Sequence, residues 1–162
     1  ATFFGSVMGA RVIAIDPVPE RREIAVKLGA SETVDPSSAD AIEAVRALTG
    51  GAGADASLDA TGIDEVRANT VRSTRTWGRA CFVGEGGTVT LQPTPDIIHR
   101  QLTLIGSWTF STHVLEELAE FVVDRNLPLG DLITHKFRLE EAEGAFTLFD
   151  TATTGKPVFY WD

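Results

Sequence analysis

Arg11-Val12-Ile13-Ala14-Ile15-Asp16 is an apolar, β-branched run closed by an acid, and Pro17 and a helix-period segment reaching Gly29 follow it directly. A buried strand that ends on a carboxylate and turns at once into a helix is the corner at which nucleotide-binding α/β domains hold a ribose, by paired hydrogen bonds to its hydroxyls. Asp16 is therefore the first candidate site residue. The same side chain can equally close the strand or cap the helix that Pro17 introduces. A glycine-rich phosphate loop belongs about 20 residues ahead of such an acid; none precedes Asp16 in the sequence, so we expect a chain truncated before residue 1.

Outward from this corner, short β-branched runs alternate with segments of helical period. Phe3, Phe4, Val7 and Met8 are spaced as the last turns of a helix ending near Gly9. Residues 18–28 put Ile24, Ala25 and Leu28 on one stripe, stopped by Gly29. Residues 32–35 predict a short strand ended by Pro36, residues 40–48 a helix with Ile42, Val45 and Leu48 repeating, and residues 56–60 a strand. Gly62 turns the chain into a helix over 64–73, and 79–83 is a further strand tipped by the turn Gly84-Glu85-Gly86-Gly87. Residues 88–91 read as strand-like and 102–106 as the last parallel strand, while 115–124 form a helix with Leu115, Leu118, Ala119 and Val122 facing inward. The tail predicts a strand at 133–137, a helix at 140–149 striped by Ala142, Ala145, Phe146 and Phe149, and a closing strand at 157–161.

Such alternation defines a doubly wound (Rossmann-type) α/β fold, because parallel neighbours need crossovers of a dozen or more residues that cover both faces of the sheet. In the strand order 3-2-1-4-5-6 the central first strand and the glycine-rich loop would be lacking. Its neighbours, 11–16 and 56–60, would then hold unpaired backbone groups at about 1–3 kcal/mol each, so the isolated chain is expected to be unstable unless it rearranges or borrows a strand. Residues 1–162 are read as one partial domain, with a tail of about 125–162.

With 162 residues, 43% of them hydrophobic and 23% charged, the composition is that of an ordinary globular domain. A net charge of −9, with no block of Lys or Arg, gives no electrostatic case for nucleic acid or an anionic membrane. No apolar stretch approaches the roughly 18 to 20 residues of a membrane span. The lone Cys81 builds no disulfide framework; it is a small core residue or a reactive thiol, and the compartment reads as reducing and cytoplasmic.

Several segments carry a resemblance. Gly9-Ala10-Arg11-Val12-Ile13-Ala14-Ile15-Asp16 with Arg21-Arg22, Lys27-Leu28-Gly29-Ala30, Gly53-Ala54-Asp55-Ala56-Ser57-Leu58-Asp59-Ala60-Thr61-Gly62, Phe82-Val83-Gly84 and Leu104-Ile105-Gly106-Ser107-Trp108 occur in order. Ile133-Thr134-His135-Lys136-Phe137, Leu139-Glu140-Glu141-Ala142 and Thr154-Gly155-Lys156 extend the match to the end. Together they resemble the cofactor domain of the zinc-dependent medium-chain alcohol and polyol dehydrogenases, of the sorbitol and threonine dehydrogenase kind. The resemblance implies that Asp16 binds the adenosine ribose and favours NAD over NADP, since a carboxylate repels a 2′-phosphate. It places Arg21 beside that ribose and Thr61 and Gly62 on the adenine side. Val83, Gly84 and Glu85, joined by Ser107 and Trp108, would border the nicotinamide. It also implies a homo-oligomer built by edge-to-edge strand pairing, for which 88–91 and 102–106 are the expected place.

Departures and alternatives bear on the same residues. Catalytic zinc and its ligands are implied only in a missing N-terminal domain, and His99, His113 and His135 lack cysteines at metal spacing. His135 is expected to pack or to bond a backbone group. Pro157-Val158-Phe159 offers no arginine for a pyrophosphate. Arg21 could be a ribose neighbour or a solvated helix residue, Arg22 is read as solvated, and Trp108 could be cofactor wall, core or dimer contact. The Gly84–Gly87 run is followed by no helix and is read as a turn, not a phosphate loop. Glu116-Glu117 and Glu140-Glu141 are exposed helix-start charge. Three functions compete: the NAD-binding part of an oxidoreductase acting on an alcohol or polyol, inactive alone; a non-catalytic interaction module pairing with its missing half or a second copy; and a domain holding the ribose of S-adenosylmethionine.

Overall fold

The elements run α1 (Thr2–Val7), β1 (Val12–Ile15), α2 (Pro19–Lys27), β2 (Ala30–Val34), α3 (Ala41–Leu48), β3 (Ala54–Asp59), α4 (Asp64–Ser73), β4 (Thr74–Phe82), β5 (Thr103–Gly106), α5 (Thr112–Asp124), β6 (Ile133–Phe137), α6 (Ala142–Asp150) and β7 (Lys156–Phe159). This is a computed structural model, and it describes every residue except 152 and 162. All strand pairings among the described residues are parallel: β1 with β2, β3-β4-β5 as a three-stranded sheet, and β6 with β7. Strand and helix alternate where the sequence places them, which makes the fold α/β and Rossmann-like.

Local chemistry accounts for the boundaries. Pro19 opens α2, where a missing N–H costs nothing. Asp40 caps α3 by accepting the N–H groups of Ile42 and Glu43 at 2.9 and 3.0 Å, and Ser111 caps α5 through the Val114 N–H at 3.2 Å. Backbone contacts divide the chain into two compact units, Ala1–Asp35 with Phe110–Asp162, and Pro36–Thr109. In the first, Phe3, Ala30, Val34 and Ala145 are buried. In the second, Val71, Ala80 and Leu102 form a core on which Phe82, Leu91 and Ile97 pack.

Two expectations are corrected. Residues 88–91 form no strand: both the N–H and the hydroxyl of Thr88 are bound by the Asp64 carboxylate at the start of α4, which turns the segment away from ladder geometry. The apolar stripe of α5 does not face inward, for Leu115, Leu118 and Ala119 are exposed and only Phe121 and Val122 are half-buried. Phe146 and Phe149 of α6 are likewise exposed, leaving Ala145 as the buried member of that stripe. None of the helices is long and apolar enough to cross a membrane among the described residues.

Candidate functional site

In the first unit, β1 and β2 pair with Ile15 opposite Val34, so Asp16 and Asp35 leave the sheet side by side. The Asp16 N–H extends the ladder onto the Val34 carbonyl at 3.2 Å. Its Oδ1 accepts the Val18 N–H at 2.8 Å, which shapes the turn into α2, while Oδ2 lies 4.0 Å from Nη1 of Arg21. One oxygen thus closes the turn and the other accepts no hydrogen bond among the described residues; Asp16 does not cap α2, whose N-cap is Val18. Arg22 is not the solvated residue the sequence led us to expect. It donates to the Asp16 carbonyl at 2.7 Å and pairs with the Asp35 carboxylate at 3.1 Å.

In the second unit, Asp59, Phe82 and Gly106 sit opposite one another in register, so β3, β4 and β5 deliver their C-terminal residues to one edge of the sheet. Thr61 and Gly62, then Val83, Gly84 and Glu85, then Ser107 and Trp108 lie along that edge. The N–H groups of Val83 and Gly84 both donate to the Asp59 carbonyl, at 2.9 and 3.1 Å, and Ser107 N–H donates to Phe82 at 3.0 Å. Thr61, Val83, Glu85, Ser107 and Trp108 are exposed and Gly62 is buried. Trp108, 73% exposed, is a surface aromatic and not a core one. Gly62 has φ +73°, and a Cβ on it would stand 2.1 Å from the Glu85 carbonyl oxygen. A Cβ on Gly84 would stand 2.1 Å from the Gly62 nitrogen. Only glycine at both positions lets the two loops touch backbone to backbone.

Beneath this edge is an acid that sequence reasoning left out. Asp59 is buried, and its carboxylate accepts the Thr61 N–H at 2.8 Å, the Thr61 hydroxyl at 2.7 Å and the Gly62 N–H at 3.2 Å, with Arg67 Nε 3.5 Å away. Burial works to raise its pKa, but the hydrogen bonds from Thr61 and Gly62 and the charge of Arg67 outweigh it and hold the carboxyl below its ordinary value. Arg67 also donates to the Gly84 carbonyl at 2.6 Å and lies 5.7 Å above the Phe82 ring. The signal available for Asp59 is its place as an acid just ahead of Ala60-Thr61-Gly62, at the end of β3.

The histidines do not assemble. His113 pairs with Glu117 at 3.4 Å within α5, and His135 contacts the Thr134 hydroxyl at 3.0 Å and stacks on Phe137. Among the described residues no group of three or more His, Cys, Asp or Glu side chains is placed to hold a metal ion. The described residues therefore do not fit a zinc site.

Fold and strand-end chemistry together define a Rossmann-like parallel α/β protein. Residues 2–124 match the family model described as zinc-binding dehydrogenase, and the chain belongs to that family. It is 34% identical over 148 residues to an uncharacterized zinc-type alcohol dehydrogenase-like protein of Escherichia coli, covering 91% of this chain and 42% of that protein. It is 31% identical over 153 residues to the L-threonine 3-dehydrogenase of Pyrococcus horikoshii, covering 91% of this chain and 43% of the enzyme. Among solved structures, an NAD-dependent alcohol dehydrogenase superposes with a TM-score of 0.81 at 29% identity, covering 100% of this chain and 47% of the other. The chain thus spans less than half the length of these relatives.

Proposed function

We propose that the chain is the NAD-binding part of an oxidoreductase that moves a hydride between a nicotinamide cofactor and an alcohol or polyol. The observation that carries the reading is Asp16: a carboxylate at the end of β1 with Oδ1 spent on the turn and Oδ2 left to Arg21, half-buried and 4.0 Å away. Asp16 would accept hydrogen bonds from the ribose hydroxyls, with Arg21 beside them. In the second unit, Thr61, Gly62, Val83, Gly84, Glu85, Ser107 and Trp108 are the further residues assigned to cofactor binding, at the carboxyl ends of strands where open α/β sheets bind ligands. When bound, the cofactor supplies the hydride acceptor. This chain's own residues bind and orient it, and zinc chemistry is assigned to a part of the protein outside this chain. The chain alone is then expected not to oxidise alcohols.

Calorimetric titration with NAD and NADH tests the reading. Asp16→Ala removes acceptors worth about 1.5–3 kcal/mol per hydrogen bond to a charged group, so binding should weaken at least tenfold. Equal affinity in the variant, or zinc-dependent alcohol oxidation by the chain itself, would refute it.

A second reading, an interaction module, is favoured by β5, the edge of its sheet, where all of Thr103–Gly106 is exposed, Leu104 and Ile105 included. Light scattering after size exclusion separates the two: a monomer at all concentrations speaks against strand pairing with a second copy.

A further inference from the structure

We propose that Asp35 sets the preference for the dinucleotide without a 2′-phosphate, acting through Arg22; this rests on Asp16 being the ribose-binding acid. Asp16, Arg21, Arg22 and Asp35 gather where β1 and β2 end and α2 begins, and the two acids balance the two arginines. A 2′-phosphate brings about −1.5 to −2 charges and needs cations to receive it. Neither arginine is free to do so. Arg21 faces Asp16 Oδ2 at 4.0 Å. Arg22 is held from two sides, Nη1 on the Asp16 carbonyl at 2.7 Å and Nη2 on Asp35 Oδ2 at 3.1 Å, and its side chain is 19% exposed against 38% for Arg21.

Selectivity then has two parts. Asp16 repels the phosphate, as an acid at that strand end does, while Asp35 withholds the second guanidinium that would attract it. Removing the Asp35 charge leaves Arg22 tethered by one hydrogen bond to a carbonyl and tips the local balance to net positive. Arginine recognises phosphate through paired charge-assisted hydrogen bonds, so a released Arg22 beside the ribose is the group such a ligand requires. Asp35 is a positioning residue in this scheme and touches no ligand.

The test measures NADH and NADPH affinities of the chain by fluorescence titration in the wild type, Asp35→Asn, Arg22→Gln and the double variant, with circular dichroism as the check of fold. Asp35→Asn is expected to narrow the NADH-over-NADPH ratio by about tenfold or more, the scale of one hydrogen bond to a charged group, mainly by tightening NADPH. The double variant should restore the wild-type ratio, and Arg22→Gln alone should leave it unchanged or wider. Equal weakening of both dinucleotides by Asp35→Asn, or a narrowed ratio that persists without Arg22, would show the ion pair to be structural only and overturn the proposal. A wild type that binds NADH while Asp35→Asn leaves the ratio untouched overturns the role of Asp35 alone. A wild type that binds neither dinucleotide overturns the ribose reading and this inference with it.

Discussion

Replacing Asp59 should damage the protein more than replacing any of the exposed residues along the edge it supports. Its carboxylate is the acceptor for the N–H and hydroxyl of Thr61 and for the N–H of Gly62, and the countercharge for Arg67. In Asp59→Ala the exposed Thr61 can turn to water, but the buried Gly62 N–H loses its acceptor and Arg67 its countercharge. One buried donor left unsatisfied, at about 1–3 kcal/mol, together with the uncompensated Arg67 charge puts the loss at about 3–5 kcal/mol, the range seen when one member of a buried ion pair is removed. That is a large part of a domain stability of about 5–15 kcal/mol. Asp59→Asn keeps one acceptor oxygen for Thr61 but turns an NH₂ toward Gly62 and Arg67, so about 2–3 kcal/mol should go. Urea unfolding followed by far-UV circular dichroism measures both, with the slope unchanged. The folded pKa of Asp59 is depressed, so its contribution is complete above the unfolded value of about 3.9 and is lost as the pH falls through the lower folded value. The gap between wild type and Asp59→Asn should therefore be constant from about pH 7 to 5 and close below about pH 4. A gap under about 0.5 kcal/mol at pH 7, the size of an ordinary surface substitution, or one that stays open in acid, would refute this account.

Other residues give sharper contrasts. Gly62→Ala forces a Cβ to within 2.1 Å of the Glu85 carbonyl oxygen at φ +73°, and should cost more than about 2 kcal/mol of stability by the same unfolding assay. Trp77→Gly should do the reverse: Trp77 is 66% exposed and held at φ 63°, so relief of about 1–2 kcal/mol of left-handed strain exceeds the roughly 0.5–1 kcal/mol entropic cost of glycine, and the midpoint should rise. Arg67→Met keeps an apolar stem over Phe82 but loses the bond to the Gly84 carbonyl, so amide exchange across residues 84–88 should quicken by tenfold or more, the scale of one hydrogen bond to a charged group.

What was legible in the sequence follows from what each residue must satisfy locally. The β-branched run before Asp16 and the helices over 40–48 and Asp64–Ser73 depend on backbone preference and near neighbours, and each falls where the pattern puts it within a residue. Residues 88–91 alternate like a strand, yet their fate is decided by Asp64, distant in sequence, which takes the donors of Thr88 that a ladder would need. Helical period marked the apolar face of α5 correctly as a face, but period cannot say whether anything covers it. Site residues divide in the same way. Asp16 was readable because a strand end and a helix start specify it. Arg22 was not, because its role depends on Asp35 arriving beside Asp16 through the β1–β2 register. Asp59 shows the limit most plainly. It falls inside the strand that the pattern predicts over 56–60, and nothing in that pattern says that three donors from Thr61 and Gly62 turn inward onto its carboxylate and consume its acceptors. One carboxylate thereby keeps an oxygen without a hydrogen bond among the described residues, and the other is spent on holding its loop; only the count of donors around each separates the two.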